Sequence, residues 1–213
     1  MNFLASSIIG YLLGSFPTAY LILKISKGMD ITKFGTGNVG AMNAFDVSKS
    51  KVLGLLVFMI DALKGLLSVY IILLIFPLNF TDAGISLIFS VFSHCYNPWI
   101  NFKGGRGLAT ATGGSLILFP FLFFLWCLIW VGIFLIKKNV IWANLVATVS
   151  SMAIVMIFIE KVMQFSFPKP GTESTLLFFS TTLLIIILTK HFEPFLDLLK
   201  NKENNSPNRT KNE

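Results

Sequence analysis

The sequence predicts an all-α polytopic membrane protein, a bundle of about seven transmembrane or partly spanning helices. Hydrophobic residues make up 54% of the 213 residues and charged residues only 13%, whereas soluble domains contain about 25% charged residues. The mean hydropathy is +0.76. The hydrophobic residues also occur in long runs, separated by short polar stretches that carry most of the Lys and Arg.

Seven segments are expected to be helical: residues 3–24, 52–76, 83–100, 108–119, 121–136, 140–159 and 174–190. Gly14, Ser15 and Pro17 are expected to break the first segment near the site, because proline lacks an N–H and clashes with the preceding turn. Residues 108–136 are too long for one crossing, and Pro120 is expected to divide them. The first piece, at roughly 18 Å, could not cross the membrane core and must pack inside the bundle.

The distribution of cations predicts the orientation. With the N-terminus outside and the C-terminus in the cytoplasm, 14 of the 17 Lys and Arg residues fall on the inner side. Lys161 and Lys169 fall outside, and Lys64 lies within the second span. If residues 108–136 instead formed one unbroken helix, Lys137 and Lys138 would lie outside, against the positive-inside rule.

Residues 1–200 are expected to form one integral membrane domain, and residues 201–213 a polar, disordered cytoplasmic tail. The net charge of +7 does not predict nucleic-acid binding, because the cations flank apolar spans, where they report orientation and attract anionic lipid. Cys95 and Cys127 lack metal-ligand spacing, so neither a metal nor a cofactor is expected. Nothing in the sequence indicates the oligomeric state.

A glycine-rich stretch, DITKFGTGNVGAMN, follows the first span over residues 30–43; we call it the first glycine loop. It contains Gly-x-Gly-x-x-Gly, but a dinucleotide site needs a preceding strand within a soluble βαβ unit, and here a membrane span precedes it. Thr36, Asn38 and Asn43 are its hydrogen-bonding side chains. The alternative interpretation is an ordinary cytoplasmic turn rich in Gly and Asn.

Asp61 and Lys64 lie three residues apart on one face of the second span. They are expected to pair, because a lone charge in the membrane costs several kcal/mol. A structural clamp and a catalytic role both stay open. No hydrolytic triad is predicted, since no Ser occupies a nucleophile-elbow pattern and neither His has an assigned acid partner.

The second glycine loop follows the third span and begins the stretch NFKGGRGLATATGG, which covers residues 101–114. Gly104, Gly105 and Gly107 allow positive φ, so that successive N–H groups can converge on one anion, while Lys103 and Arg106 supply charge. The helix that follows would add its unpaired N–H groups and its dipole. A nucleotide P-loop is excluded because the lysine precedes the glycines. The alternative is a juxtamembrane turn with two cations.

Together these stretches resemble the acyl-phosphate:glycerol-3-phosphate acyltransferases of bacterial membranes, over most of the chain. The matching motifs are GS and AY in the first span, GTGNVGAMN in the first loop and DALKG in the second span. They continue with FKGGRGLAT in the second loop, and with His191 followed by LL and Glu203 near the C-terminus. The two loop motifs are the specific ones.

The resemblance implies seven helices in the cell inner membrane and transfer of a fatty acyl group from acyl phosphate to the 1-hydroxyl of sn-glycerol 3-phosphate. The products would be lysophosphatidic acid and phosphate, for phospholipid biosynthesis, and membrane lipids would be the other partners. No protein nucleophile is needed, because acyl phosphate is an activated mixed anhydride that only has to be positioned and stabilised. Lys103 and His191 would be catalytic. The substrate-binding residues would be Thr36, Gly37, Asn38, Gly40, Asn43, Lys103, Gly104, Gly105, Arg106, Gly107 and Glu203.

Several positions depart from the family pattern, which usually reads GSGNxGATN in the first loop. Thr36 and Met42 replace Ser and Thr, and Thr32 stands where Arg often occurs. Pro194 and Asp197 stand where Asn and Arg usually follow the histidine, and loss of arginine contacts to phosphate would weaken binding. The alternative function is therefore an impaired family member that binds acyl phosphate or phospholipid without turnover. An anion transporter is disfavoured by the few polar residues in the spans.

Overall fold

A computed structural model describes residues 2–204, with side chains described for residues 2–200. This part contains helices and loops and no strand, which confirms the predicted all-α class. The α-helices are α1 Phe3–Gly14, α2 Thr18–Lys27, α3 Ala41–Ser48, α4 Lys51–Ile75, α5 Phe80–Cys95, α6 Leu108–Leu118, α7 Pro120–Lys137, α8 Val140–Ile157, α9 Ile159–Phe165 and α10 Glu173–Asn204. By length and composition, the helical stretches able to cross a membrane in this part are Phe3–Lys27, Lys51–Ile75, Pro120–Lys137, Val140–Ile157 and Glu173–Lys200.

The predicted break in the first span is confirmed, because residues 15–17 separate α1 from α2. A break at membrane depth frees carbonyl groups from their helical partners, and other parts of the protein must satisfy them. Asn97 Nδ2 donates to the carbonyl of Ser15 at 2.6 Å, and Lys64 Nζ donates to the carbonyl of Phe16 at 3.0 Å. The break is therefore tied to α4 and to the segment that follows α5.

The division at Pro120 is also confirmed. Pro120 is the first residue of α7, a position where the missing N–H has no helical partner to lose. The preceding helix, α6, has 11 residues and is about 17 Å long, too short for a membrane core of about 30 Å. It packs inside the bundle against α4. A Cβ added to Gly113 would lie 1.8 Å from the carbonyl oxygen of Ala62, so the two backbones touch.

The main hydrophobic core surrounds α5, in which 12 of 16 residues are buried. Small residues allow α1 to approach this helix closely: a Cβ on Gly10 would lie 2.1 Å from the carbonyl oxygen of Ser86, and one on Gly14 2.0 Å from that of Ser90. Such contacts are typical of membrane bundles, where close packing replaces the hydrophobic effect between helices. They hold the broken first span beside the helix that leads into the second glycine loop.

One predicted helix is displaced along the sequence, and two short helices were not predicted. The third segment is α5 at Phe80–Cys95 rather than residues 83–100. Its start is set by Asn79, whose side chain accepts a hydrogen bond from the N–H of Asp82 at 3.1 Å. The polar connection after the first span contains the unpredicted helix α3, and α9 is a further short helix. Both are too short for hydropathy to reveal.

The last helix is longer than predicted. α10 runs Glu173–Asn204 and contains Pro194, whereas the predicted segment ends at residue 190. Hydropathy marks where the apolar part ends, but the helix continues past that point. The predicted domain boundary at residue 200 stays a prediction, because the rest of the tail and the side chain of Glu203 lie outside the described part.

Candidate active site

The first glycine loop is folded around the side chain of Asn43. Asn43 Oδ1 accepts a hydrogen bond from the N–H of Thr36 at 3.0 Å, and Nδ2 donates to the carbonyl of Asn38 at 2.9 Å. Gly35 and Gly37 have φ of 60° and 70°, which glycine adopts without strain. Because Asn43 is only 2% exposed, its amide holds the loop in shape. Its predicted contact with substrate stays a prediction.

Thr32, which stands where the family often has arginine, makes hydrogen bonds within its own turn. Its backbone N–H and its hydroxyl both donate to Asp30 Oδ1, at 3.1 and 2.7 Å. These bonds, chiefly that of the hydroxyl, lower the pKa of Asp30 below its ordinary value. Thr32 therefore stabilises the turn that opens the loop and adds no positive charge to it.

The second glycine loop packs tightly against the end of α5. The N–H of Gly105 donates to the carbonyl of His94 at 3.1 Å. A Cβ on Gly105 would lie 2.1 Å from His94 Nε2, and one on Gly104 would lie 2.3 Å from the carbonyl oxygen of His94. Neither glycine has a positive φ, so the expectation of left-handed backbone at these two positions is wrong. Close approach to α5 is what requires their small size.

The two glycine loops are joined directly. The N–H of Val39, in the first loop, donates to the carbonyl of Gly104, in the second, at 3.2 Å. The loops are separated in sequence by α3, α4 and α5, so only the packing of those helices brings them together.

Arg106 and the start of α6 form the basic part of the site. Gly107 precedes the helix with φ of 83°, and Leu108 and Ala109, in the first turn, line the same cavity as Arg106. Partial burial lowers the pKa of Arg106, but the pKa of a guanidinium is far above neutral pH, so the side chain stays charged. Lys103 is exposed and does not line the cavity.

Asp61 and Lys64 pair within α4, as predicted. Lys64 Nζ lies 2.9 Å from Asp61 Oδ1, and both side chains are buried. His94 Nδ1 lies 3.8 Å from the same carboxylate oxygen. Because Lys64 also donates to the carbonyl of Phe16, the pair links the break in the first span to the end of α5. The geometry supports the clamp interpretation, although Asp61 also lines the cavity.

His191 presents one free ring nitrogen to the cavity. Its Nδ1 lies 2.8 Å from the carbonyl oxygen of Ile187, and a carbonyl can only accept, so Nδ1 carries the hydrogen. Nε2 is buried and makes no hydrogen bond within the described residues. The adjacent Lys190 Nζ lies 4.0 Å from the centre of the Tyr96 ring, which holds this part of α10 beside the end of α5.

Residues from these elements line one cavity of about 440 Å³. Of the predicted site residues, it is lined by Asn38, Gly40, Arg106, Gly107 and His191. Those that do not line it are Thr36, Gly37, Asn43, Lys103, Gly104 and Gly105. These latter residues belong to the same loops and shape or flank the cavity.

The opposite wall comes from α7 and α8 and was not predicted. Its aromatic side chains are Phe123, Trp126 and Trp130. Trp126 Nε1 donates to Thr148 Oγ1 at 3.2 Å, and Trp130 Nε1 donates to Asn144 Oδ1 at 2.6 Å. The only sequence signal was a lone Asn in an apolar span, which points to a function inside the membrane. The cavity is thus polar and basic on one side and apolar on the other.

Comparisons with known proteins agree with this arrangement. The sequence profile of the family described as glycerol-3-phosphate acyltransferase matches residues 4–201. Proteins of that name from Helicobacter acinonychis and Ehrlichia chaffeensis are 31% and 34% identical, over 95% and 92% of this chain and 96% and 93% of theirs.

The fold is similar to crystal structures of PlsY (YgiH), an integral membrane glycerol 3-phosphate acyltransferase. The glycerol 3-phosphate form has a TM-score of 0.78 and the lysophosphatidic acid form 0.77, both at 32% identity. Each match covers 94% of this chain, and 94% and 93% of the respective PlsY chains. With nearly the whole length matched in sequence and in fold, this multi-pass membrane protein belongs to the glycerol-3-phosphate acyltransferase family.

Proposed function

We propose that this protein transfers a fatty acyl group from acyl phosphate to the 1-hydroxyl of glycerol 3-phosphate, yielding lysophosphatidic acid and inorganic phosphate. The observation that carries the proposal is the two-sided cavity, which joins the Arg106 loop and His191 to an aromatic wall. Both the acyl donor and the product combine a phosphate with a long apolar chain. A cavity with one basic side and one apolar side suits such molecules.

The phosphate groups are assigned to the basic side. Arg106 can donate two parallel hydrogen bonds to phosphate oxygens, and the first turn of α6 offers unpaired N–H groups and the positive end of the helix dipole. Lys103, exposed in the same loop, would attract anions to the entrance. The glycerol 3-phosphate form of the related PlsY supports a phosphate ester as one ligand.

The acyl chain is assigned to the wall built by α7 and α8. Trp126 and Trp130 present large apolar faces, and their N–H groups are already bonded to Thr148 and Asn144. Burial of each chain CH₂ contributes about 0.8 kcal/mol. The lysophosphatidic acid form of PlsY supports a lysophospholipid as another ligand.

The chemistry requires no nucleophile from the protein. The 1-hydroxyl oxygen bonds to the acyl carbon, the bond from that carbon to the phosphate oxygen breaks, and the departing phosphate takes the electron pair and the hydroxyl proton. His191 Nε2, the free acceptor on the neutral ring, would take a hydrogen bond from the glycerol 3-phosphate and orient it. Positioning two bound reactants can supply about 7 to 11 kcal/mol of the barrier.

The active face is proposed to lie in the cytoplasm, with the N-terminus outside, because the cations around both glycine loops obey the positive-inside rule. Glycerol 3-phosphate would then enter from the aqueous side and the acyl chain from the bilayer. The tail over residues 201–213 would also be cytoplasmic.

The purified protein in detergent, given acyl phosphate and glycerol 3-phosphate, is expected to release lysophosphatidic acid and phosphate in equal amounts. Replacing acyl phosphate by acyl-CoA should stop the reaction. Product formed only from acyl-CoA would overturn the proposed donor. Binding of acyl phosphate without product would instead support the impaired alternative, which is motivated by Pro194 and the exposed Asp197, neither of which lines the cavity.

A further inference from the structure

The side-chain amide of Asn144 carries a hydrogen-bond donor, Nδ2, that has no hydrogen-bond partner among the described residues. The residue is 4% exposed and lines the cavity. An indole N–H can only donate, so the oxygen of the Asn144 amide must be the atom that faces Trp130 Nε1, at 2.6 Å. This fixes the orientation of the amide. Nδ2 therefore points away from Trp130, and it makes no hydrogen bond to any described residue.

Asn144 and His191 line the same cavity, and the helices that carry them touch each other. The ring of Trp142, near the start of α8, packs edge-on against Phe195, towards the end of α10, with centroids 5.0 Å apart, so these parts of the two helices are in contact. Asn144 lies two residues after Trp142 in α8, and His191 lies four residues before Phe195 in α10. At about 1.5 Å per residue, Asn144 and His191 lie about 3 Å and about 6 Å from this contact along their own helices.

We propose that Asn144 Nδ2 donates a hydrogen bond to the carbonyl oxygen of the acyl group; this rests on the proposed function. The carbonyl carbon lies between the apolar chain and the phosphate, and Asn144 is bonded to the aromatic wall while it shares the cavity with Arg106 and His191. When the 1-hydroxyl oxygen attacks, the carbonyl electron pair moves onto this oxygen, and it returns when the phosphate leaves. A fixed neutral donor stabilises that negative charge.

The fixed orientation is the main physical argument. Trp130 holds the amide before substrate arrives, so no energy is needed to reorient the donor during the reaction. A charged donor is unnecessary here, because the phosphate already has Arg106. In this arrangement the tryptophan has two tasks: it packs against the acyl chain and it sets the direction of the donor.

The test compares Trp130→Phe with the double variant Trp130→Phe/Asn144→Leu. Trp130→Phe removes the indole N–H that orients the amide but keeps an aromatic wall and the donor itself, so kcat is expected to fall by about tenfold, part of the loss expected for a missing donor. Adding Asn144→Leu removes the donor without leaving an unpaired indole, and kcat should fall a further 100-fold or so, the usual effect of losing one such donor. KM for glycerol 3-phosphate should change less than about twofold, since this donor does not contact the acceptor.

Asn144→Asp is the second variant, because it keeps an oxygen for Trp130 and, when ionised, cannot donate. It too should lose most of its kcat, with a thermal melting temperature close to that of wild type. A double variant as active as Trp130→Phe, or full activity of Asn144→Asp at a pH where its carboxyl is ionised, would overturn the inference while leaving the proposed function intact. A change confined to KM for glycerol 3-phosphate would also overturn it. Absence of turnover in the wild type would instead refute the proposed function itself.

Discussion

At the scale of single residues, the buried pair Asp61–Lys64 tests whether two opposite charges inside the bundle stabilise each other. Asp61→Leu leaves the Lys64 ammonium with only the carbonyl of Phe16 as a described partner, and such an uncompensated charge costs about 3 to 5 kcal/mol. The double change Asp61→Leu/Lys64→Leu should cost less than either single change. Thermal melting in detergent of the four proteins would show this, and additive losses would argue against coupling.

The two cations of the second glycine loop are expected to differ. Arg106 lines the cavity and Lys103 does not, so Arg106→Gln should raise the Kd for glycerol 3-phosphate by about 10-fold to 100-fold, the value of a charge-assisted hydrogen bond. Lys103→Gln should raise it by less than about fivefold, as for an exposed charge. Its effect should also shrink at high ionic strength. Calorimetric titration at low and high salt would measure both. A larger loss for Lys103→Gln would show that this side chain holds the phosphate directly.

At the scale of helices, the contact between α4 and α6 decides whether the second glycine loop is held in place. Gly113→Ala would put a methyl group 1.8 Å from the carbonyl oxygen of Ala62, and such overpacking costs about 1 to 3 kcal/mol. Since Arg106 lies two residues before α6, activity should fall together with the melting temperature.

Gly132→Ala is the matched control for this experiment. Gly132 lies within α7 with no atom within 4 Å of an added Cβ, so alanine should leave activity unchanged and stabilise the helix by up to about 1 kcal/mol. Equal effects at Gly113 and Gly132 would show that helix propensity, and not contact between α4 and α6, accounts for the loss.

At the scale of the whole molecule, the number of crossings decides which side of the membrane carries the site. In a variant lacking Cys95 and Cys127, Lys138→Cys should react with an impermeant thiol reagent only from the cytoplasm, and Lys169→Cys only from outside. Both native lysines are exposed in loops at the ends of described helices. External labelling at position 138 would refute the proposed orientation, because it would show that the turn between α7 and α8 lies outside.

Much of this architecture could be predicted without coordinates. Membrane insertion follows from hydropathy summed over each segment, and the breaks near Pro17 and Pro120 follow from the covalent structure of proline. The pairing of Asp61 with Lys64 follows from their spacing on one helix and from the cost of a lone charge in the membrane. The family resemblance rests on contiguous motifs in the two glycine loops. All of these signals are local in the chain or additive along it.

The detailed site was decided by contacts between residues far apart in the chain. Gly104 and Gly105 were expected to turn the backbone towards an anion. Instead, these positions require glycine because the loop touches the end of α5 at His94, which leaves no room for a Cβ. Asn144 is bonded to Trp130 and faces the cavity, which no periodicity along α8 could indicate. The sequence by itself therefore determined the membrane fold and the family, whereas the packing of α5, α6, α7 and α8 decided which atoms face the substrate, because packing depends on the joint shape of distant segments.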